Sequence, residues 1–140
     1  MGDNSTTDRS TPVDVVGLSG GVVALDARGF HTCALMVTGA VKCWGNNSFG
    51  QLGDDSTTDR AVPGDVVGLG GGITAIAAGG SHTCALNQSG GVQCWGLNNA
   101  GQVGDGTTTN RSTPVPVVGL GSGVAALSLG YYHGCALLVA

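Results

Sequence analysis

The sequence predicts an all-β fold, made of small antiparallel sheets stacked on one another, and three observations predict it. Glycine occurs 27 times and proline 4 times, while glutamate is absent. Each glycine costs a helix about 1 kcal/mol against alanine, so a chain this rich in Gly, Val and Thr favours short strands and tight turns. Only 10% of the residues are charged and 41% are apolar, a balance that excludes ordinary disorder. The third observation is a repeat. "FHTCALMVTGAVKCWG" at 30–45 returns as "SHTCALNQSGGVQCWG" at 81–96, and the phrase opens again at 132 as "YHGCALLVA".

The period is 51 residues. It relates His31, His82 and His133, then Cys33, Cys84 and Cys135, then Pro12, Pro63 and Pro114, and also Trp44 and Trp95. The copies span 2–52, 53–103 and a shorter 104–140, about 2.75 in all. Taken in order, "VDVVGL" at 13–18 is an apolar run with echoes at 64–69 and 115–120, and each is expected to be a strand. A Gly-rich turn follows, then a strand at 22–27, 73–78 and 124–129. The next strand opens on the histidine, at 31–37, 82–88 and 133–139. A "TGA" or "SGG" turn leads to "VKCWG" at 41–45 and "VQCWG" at 92–96. Most of these strands are apolar on both faces, which suits sheets covered on both sides. A four-stranded unit of this length that stacks on its own copies is a β-propeller blade. The chain should therefore hold two complete blades (22–69 and 73–120), a half blade at 124–139 and an orphan N-terminal strand at 13–18, as one partial propeller over 1–140.

"AAGGSHTCAL" at 77–86, "GGVQCWG" at 90–96 and "GLNNAGQVGDGTTTNRSTPVPV" at 96–117 make the chain resemble the regulator of chromosome condensation repeat family. The Cys-bearing, Thr-rich form is similar to its bacterial, alpha-tubulin-suppressor-like branch. The resemblance covers nearly the whole chain. It implies a seven-bladed propeller in which each blade takes strands from two successive repeats. Seven such units would need more than twice this length. The open ends are expected to reflect a piece of a longer chain, a ring closed by two or three copies, or a monomer with frayed ends. The family's founding member acts on the small GTPase Ran and binds chromatin, which implies guanine-nucleotide exchange as an alternative function. That role would need a full ring and a basic arm, and no stretch of this sequence matches the arm.

The residues themselves offer little chemistry. Cys33 and Cys43 flank one turn symmetrically, and Cys84 and Cys94 flank another. They are candidates for two disulfides, with buried thiols as the other reading, and Cys135 is left as an unpaired thiol. Two bridges would favour an exported origin, although the polar start "MGDNSTTDRSTP" is no secretory signal. The Cys and His spacing is not that of a zinc site. One histidine per repeat points to a structural place for His31, His82 and His133, with ring nitrogens tied to backbone groups. Trp44 and Trp95 are expected to pack between blades; exposed, they would instead favour a lectin-like module. The Asp-bearing loops at 53–59 and 104–110 lack the pattern of an EF-hand and read as side-chain-bonded turns. "GLGGG" at 68–72 is no phosphate loop, and no nucleophile–base–orienter set assembles within a unit. No metal or cofactor is expected, and no enzymatic activity.

Five Lys/Arg residues are scattered along a chain of net charge −4. No basic cluster exists to neutralise phosphates, so neither a nucleic acid nor an anionic membrane is an expected partner. The expected function is a non-enzymatic protein-interaction scaffold with an unidentified protein partner, and self-association into a dimer or trimer through exposed blade edges. The substitutions between repeats fall mostly in turns and loops, which retunes a surface and spares the framework.

Overall fold

The structure, a computed structural model, describes residues 1–69 and 71–139. Gly70, in the Gly-rich turn at 70–72, and Ala140 lie outside the described residues. Among the described residues there are strands and no α-helix. β1 (Val22–Arg28), β2 (His31–Met36), β3 (Val41–Gly45) and β4 (Arg60–Asp65) form one antiparallel sheet in that order. β5 (Ile73–Ala78), β6 (His82–Asn87), β7 (Val92–Gly96) and β8 (Arg111–Pro116) form a second, and β9 (Val124–Leu129) pairs with β10 (Gly134–Leu138). Each complete blade takes three strands from one repeat and its fourth from the next.

The β2–β3 hairpin shows why these sequences pair as they do. Gly39 sits at φ +81°, a left-handed backbone that side chains resist. The turn closes through Gly39 N–H to the Met36 carbonyl and Met36 N–H to the Ala40 carbonyl, each 2.8 Å. That closure sets a register in which Cys33 faces Cys43, Thr32 faces Trp44 and Leu35 faces Val41. The second blade repeats it, with Cys84 facing Cys94 and Thr83 facing Trp95.

The fourth strands are displaced from their expected place. They occupy Arg60–Asp65 and Arg111–Pro116 rather than 64–69 and 115–120. The length of the third strand decides this. β3 begins at Val41, whose carbonyl already accepts from Val66 N–H, so residues beyond 66 run past the start of β3. Pro63 lies inside β4, where an outermost strand tolerates its missing N–H. The expected strand at 13–18 does not form. Residues 1–21 contain no strand, because among the described residues no third strand lies beside them to pair with. The segment still keeps the loop shape of the later repeats: Val16 N–H bonds the Gly2 carbonyl as Val67 N–H bonds that of Gly53.

The core lies between sheets. Cys33, Leu35, Val41 and Cys43 of the first blade meet Ile73, Ala85 and Trp95 of the second. Cys84, Leu86, Val92 and Cys94 of the second meet Val124 and Leu129 of the third. A single sheet this small cannot bury both of its apolar faces, so stacking does. At the open end of the stack the same positions stay bare: Leu25 is 62% exposed, whereas Ile76, one repeat later, packs against the first blade.

Candidate functional site

The junction between successive blades carries the most organised polar chemistry, and it is centred on Gln51. Its carbonyl accepts the Trp95 indole N–H at 2.9 Å and the Thr83 hydroxyl at 2.9 Å. All three residues are fully buried. Gly53 lets the indole approach; a Cβ there would fall 2.7 Å from Trp95 Nε1. Trp44 lies against Gly2 in the same way. Trp95 is therefore a wedge between blades, and both tryptophans are buried rather than exposed stacking platforms.

His31 serves the same junction, and its partner is a side chain rather than a backbone group. His31 Nε2 lies 2.9 Å from the Thr83 hydroxyl oxygen. That hydroxyl donates its own proton to Gln51, so it can only accept from the ring, and His31 carries its proton on Nε2. His31 Nδ1 is left buried without a partner. Burial, followed by the neighbouring His82, lowers His31 to about 4 from 6.5, against a small opposing pull from Asp26. His82 is likewise lowered to about 4 by burial and then by His133. The residue matching Thr83 one repeat later is Gly134, which has no hydroxyl, and both His82 ring nitrogens are unpaired. His133 is exposed. The three rings thus hold one place in the repeat in three environments.

Below the junction, each long loop wraps around an asparagine. Asn47 Nδ2 donates toward Asp54 Oδ1, Ser56 O and Oγ, and Thr58 O, all at 3.1 Å. Its Oδ1 accepts from Leu52 N–H at 3.0 Å. Asn98 does the same with Asp105, Thr107, Thr109 and Val103. An arginine closes each loop: Arg60 on Asp54 at 3.2 Å, Arg111 on Asp105 at 2.6 Å, and Arg9 on Asp3 at 2.7 Å. Burial raises the Asp105 carboxyl, but bonds from Thr107, Arg111 and Asn98 outweigh it and hold it at about 2. Asp54 is also held below the usual carboxylate range, where burial is outweighed by bonds from Ser56, Asn47 and Arg60. Arg9, with Ser5, lowers Asp3. These loops are held by their own side chains. Among the described residues, no group of three or more His, Cys, Asp or Glu side chains is placed to hold a metal ion.

Cys33 is bonded to Cys43 and Cys84 to Cys94, each with Cα atoms 4.1 Å apart, and Cys135 is free and exposed. Cys135 borders a groove of about 320 Å³ between the second blade and the β9–β10 hairpin. Val103, Gly104, Val117, Leu120 and Leu127 line it. The junction of the first two blades thus joins Trp95, His31 and the Cys33–Cys43 pair singled out in the sequence, whereas Cys84 and Cys94 face the third blade and Trp44 lies against the N-terminal segment. Sequence reasoning missed Gln51, Thr83, Asn47, Asn98 and the Asp–Arg clasps. They recur at the 51-residue period, and that was the available signal; Thr83 has its counterpart in Thr32, while Gly134 takes the place one repeat later.

The Regulator of chromosome condensation (RCC1) repeat matches residues 38–86 and 89–137, and a second description of the same repeat matches 22–51 and 73–102. The ultraviolet-B receptor UVR8 of Arabidopsis thaliana is 32% identical over 136 residues, covering 95% of this chain and 31% of the receptor. Human WBSCR16 superposes with a TM-score of 0.75 at 26% identity, covering 85% of this chain and 31% of WBSCR16. Yeast RCC1 (Prp20), crystallised with Kap60, superposes with a TM-score of 0.71 at 22% identity, covering 84% and 30%. That last likeness is one of fold. The chain spans about a third of the length of each of these proteins.

Proposed function

The chain belongs to the regulator of chromosome condensation (RCC1) repeat family, and on that premise we propose that it is a non-enzymatic protein-interaction scaffold. The observation that carries this reading is where the two complete blades differ. Between "NNSF" and "LNNA", the inner Asn47 and Asn98 are buried and unchanged, while Ser48 and Phe49 or Asn99 and Ala100 are exposed. Val37 and Gln88 in the hairpin turns differ and are exposed as well. In these segments identity is kept at the buried asparagines, and variation falls on exposed residues that a partner would touch.

Self-association belongs to this reading. Leu25 and Phe30 (76% exposed) lie bare at one end of the stack, and Tyr132, Leu137 and Leu138 at the other. Exposed apolar surface at the ends of a stacked array favours contact with a second copy. Light scattering across a concentration range is expected to give a dimer or trimer, and Leu25→Lys is expected to shift it to monomer. A monomer at every concentration removes self-association. Exchanging residues 48–49 for their counterparts at 99–100 is expected to leave the unfolding midpoint within about 0.5 kcal/mol, as surface changes do. A large loss of stability would show that these loops belong to the framework and not to a binding surface.

A further inference from the structure

We propose that Trp95 and the Cys33–Cys43 bond are an electron-transfer pair, in which ultraviolet excitation of the indole opens the disulfide of the neighbouring blade. The pair lies wholly in the junction of the two complete blades and owes nothing to the scaffold reading.

Neighbouring residues of a strand point to opposite faces of their sheet. Cys94 and Trp95 are neighbours in β7, so the indole turns away from the disulfide beside it in the chain. Stacking then sends the two apart. Cys84 and Cys94 pack toward the third blade, with Val124 and Leu129. Trp95 packs toward the first blade, in one cluster with Cys33, Val41 and Cys43. A Cβ at Gly53 would fall 2.7 Å from the indole Nε1 and 2.9 Å from Val66. Val66 N–H in turn bonds the carbonyl of Val41, which opens the strand that carries Cys43. The indole therefore lies against the β3 side of the first blade. Trp95, Cys33 and Cys43 are each 0% exposed, so solvent reaches none of them. Sulfur packs favourably against aromatic rings, and an indole is the readiest electron donor among buried apolar side chains. Trp44 is placed differently, with its Nε1 beside Gly2 in the N-terminal segment.

The step balances within the pair. The excited indole gives one electron to the antibonding orbital of the S–S bond. That bond breaks into a thiolate and a thiyl radical. The indole radical cation gives up its Nε1 proton, and the thiolate takes up a proton. One indolyl radical, one thiol and one thiyl radical result, and no outside oxidant or reductant takes part. Return of the electron and proton closes the bond again.

Trp44→Phe leaves Trp95 as the sole indole, since the chain has two tryptophans. Its fluorescence is expected to be largely quenched, and to become several-fold brighter when Cys33→Ala and Cys43→Ala are added and circular dichroism shows the sheets kept. A second measurement needs no cysteine variant. The oxidised chain is illuminated in the indole absorption band, unfolded in an alkylating reagent and mapped by peptide mass. Label above the dark control is expected on Cys33 and Cys43 and not on Cys84 and Cys94. Trp44→Phe is expected to keep that pattern, and Trp95→Phe to lose it. Fluorescence indifferent to the Cys33–Cys43 bond, equal label at the two disulfides, or no label above the dark control overturns the proposal. Light scattering reads self-association separately, so failure here leaves that reading untouched.

Discussion

The hydroxyl of Thr83 stands between two blades, accepting from His31 and donating to Gln51. Thr83→Val keeps the shape and leaves both neighbours short of a partner in a buried place. We expect a loss of about 1–3 kcal/mol in urea unfolding. The imidazoles make a separate, pH-dependent contribution. His31 and His82 titrate near 4 in the folded chain and near 6.5 when unfolded. Between those values the unfolded chain binds protons that the folded chain refuses. Stability should therefore be level above about 6.5 and fall as pH drops toward about 4. The clasp carboxylates have folded values below their ordinary 3.8, so their contribution is lost only on further acidification, for Asp105 through about 2. Denaturant midpoints measured from neutral pH downward test this. A flat profile across the imidazole window would mean that the two rings are not buried in the neutral form.

The hairpins and loops behave as separable elements. Each Cys–Cys bridge closes a short loop, with the cysteines 10 residues apart, inside a register that backbone bonds already set. Reduction should therefore cost only about 2–3 kcal/mol per bridge and leave the sheets in place. A thiol titration of the unreduced, denatured chain should find Cys135 alone; five thiols would show that the pairs are not bonded. Asn98 holds its loop by donating to Asp105 Oδ1 and to the Thr107 and Thr109 carbonyls while accepting from Val103 N–H. Asn98→Ala leaves those acceptors and Val103 N–H short of partners, and we expect a loss of about 2–3 kcal/mol, read by thermal or urea unfolding. The fourth strands show the converse. Their residues become a strand only where a third strand is present, which is why 60–65 pairs and the equivalent residues near the N-terminus do not.

At the scale of the whole molecule, stability is the stacking of blades, and Trp95 is its wedge. Trp95→Ala should cost about 3–5 kcal/mol and split one unfolding transition into two, since each sheet retains its own hydrogen bonds. A single transition at the wild-type midpoint would show that the blades do not depend on the wedge. The repeat, the order of strands, the opposed cysteines and the four-stranded module could all be read from the sequence, because each follows from local turns and an apolar pattern carried 51 residues onward. The sequence could not place the fourth strand, since the length of β3, not any property of residues 60–69, decides where pairing starts and stops. Nor could it reveal that His31, Thr83, Gln51 and Trp95 share one junction. These residues lie far apart in the chain and meet only when one sheet is laid on the next, so which side chains find partners, and which, like His82, find none, was decided by tertiary structure alone.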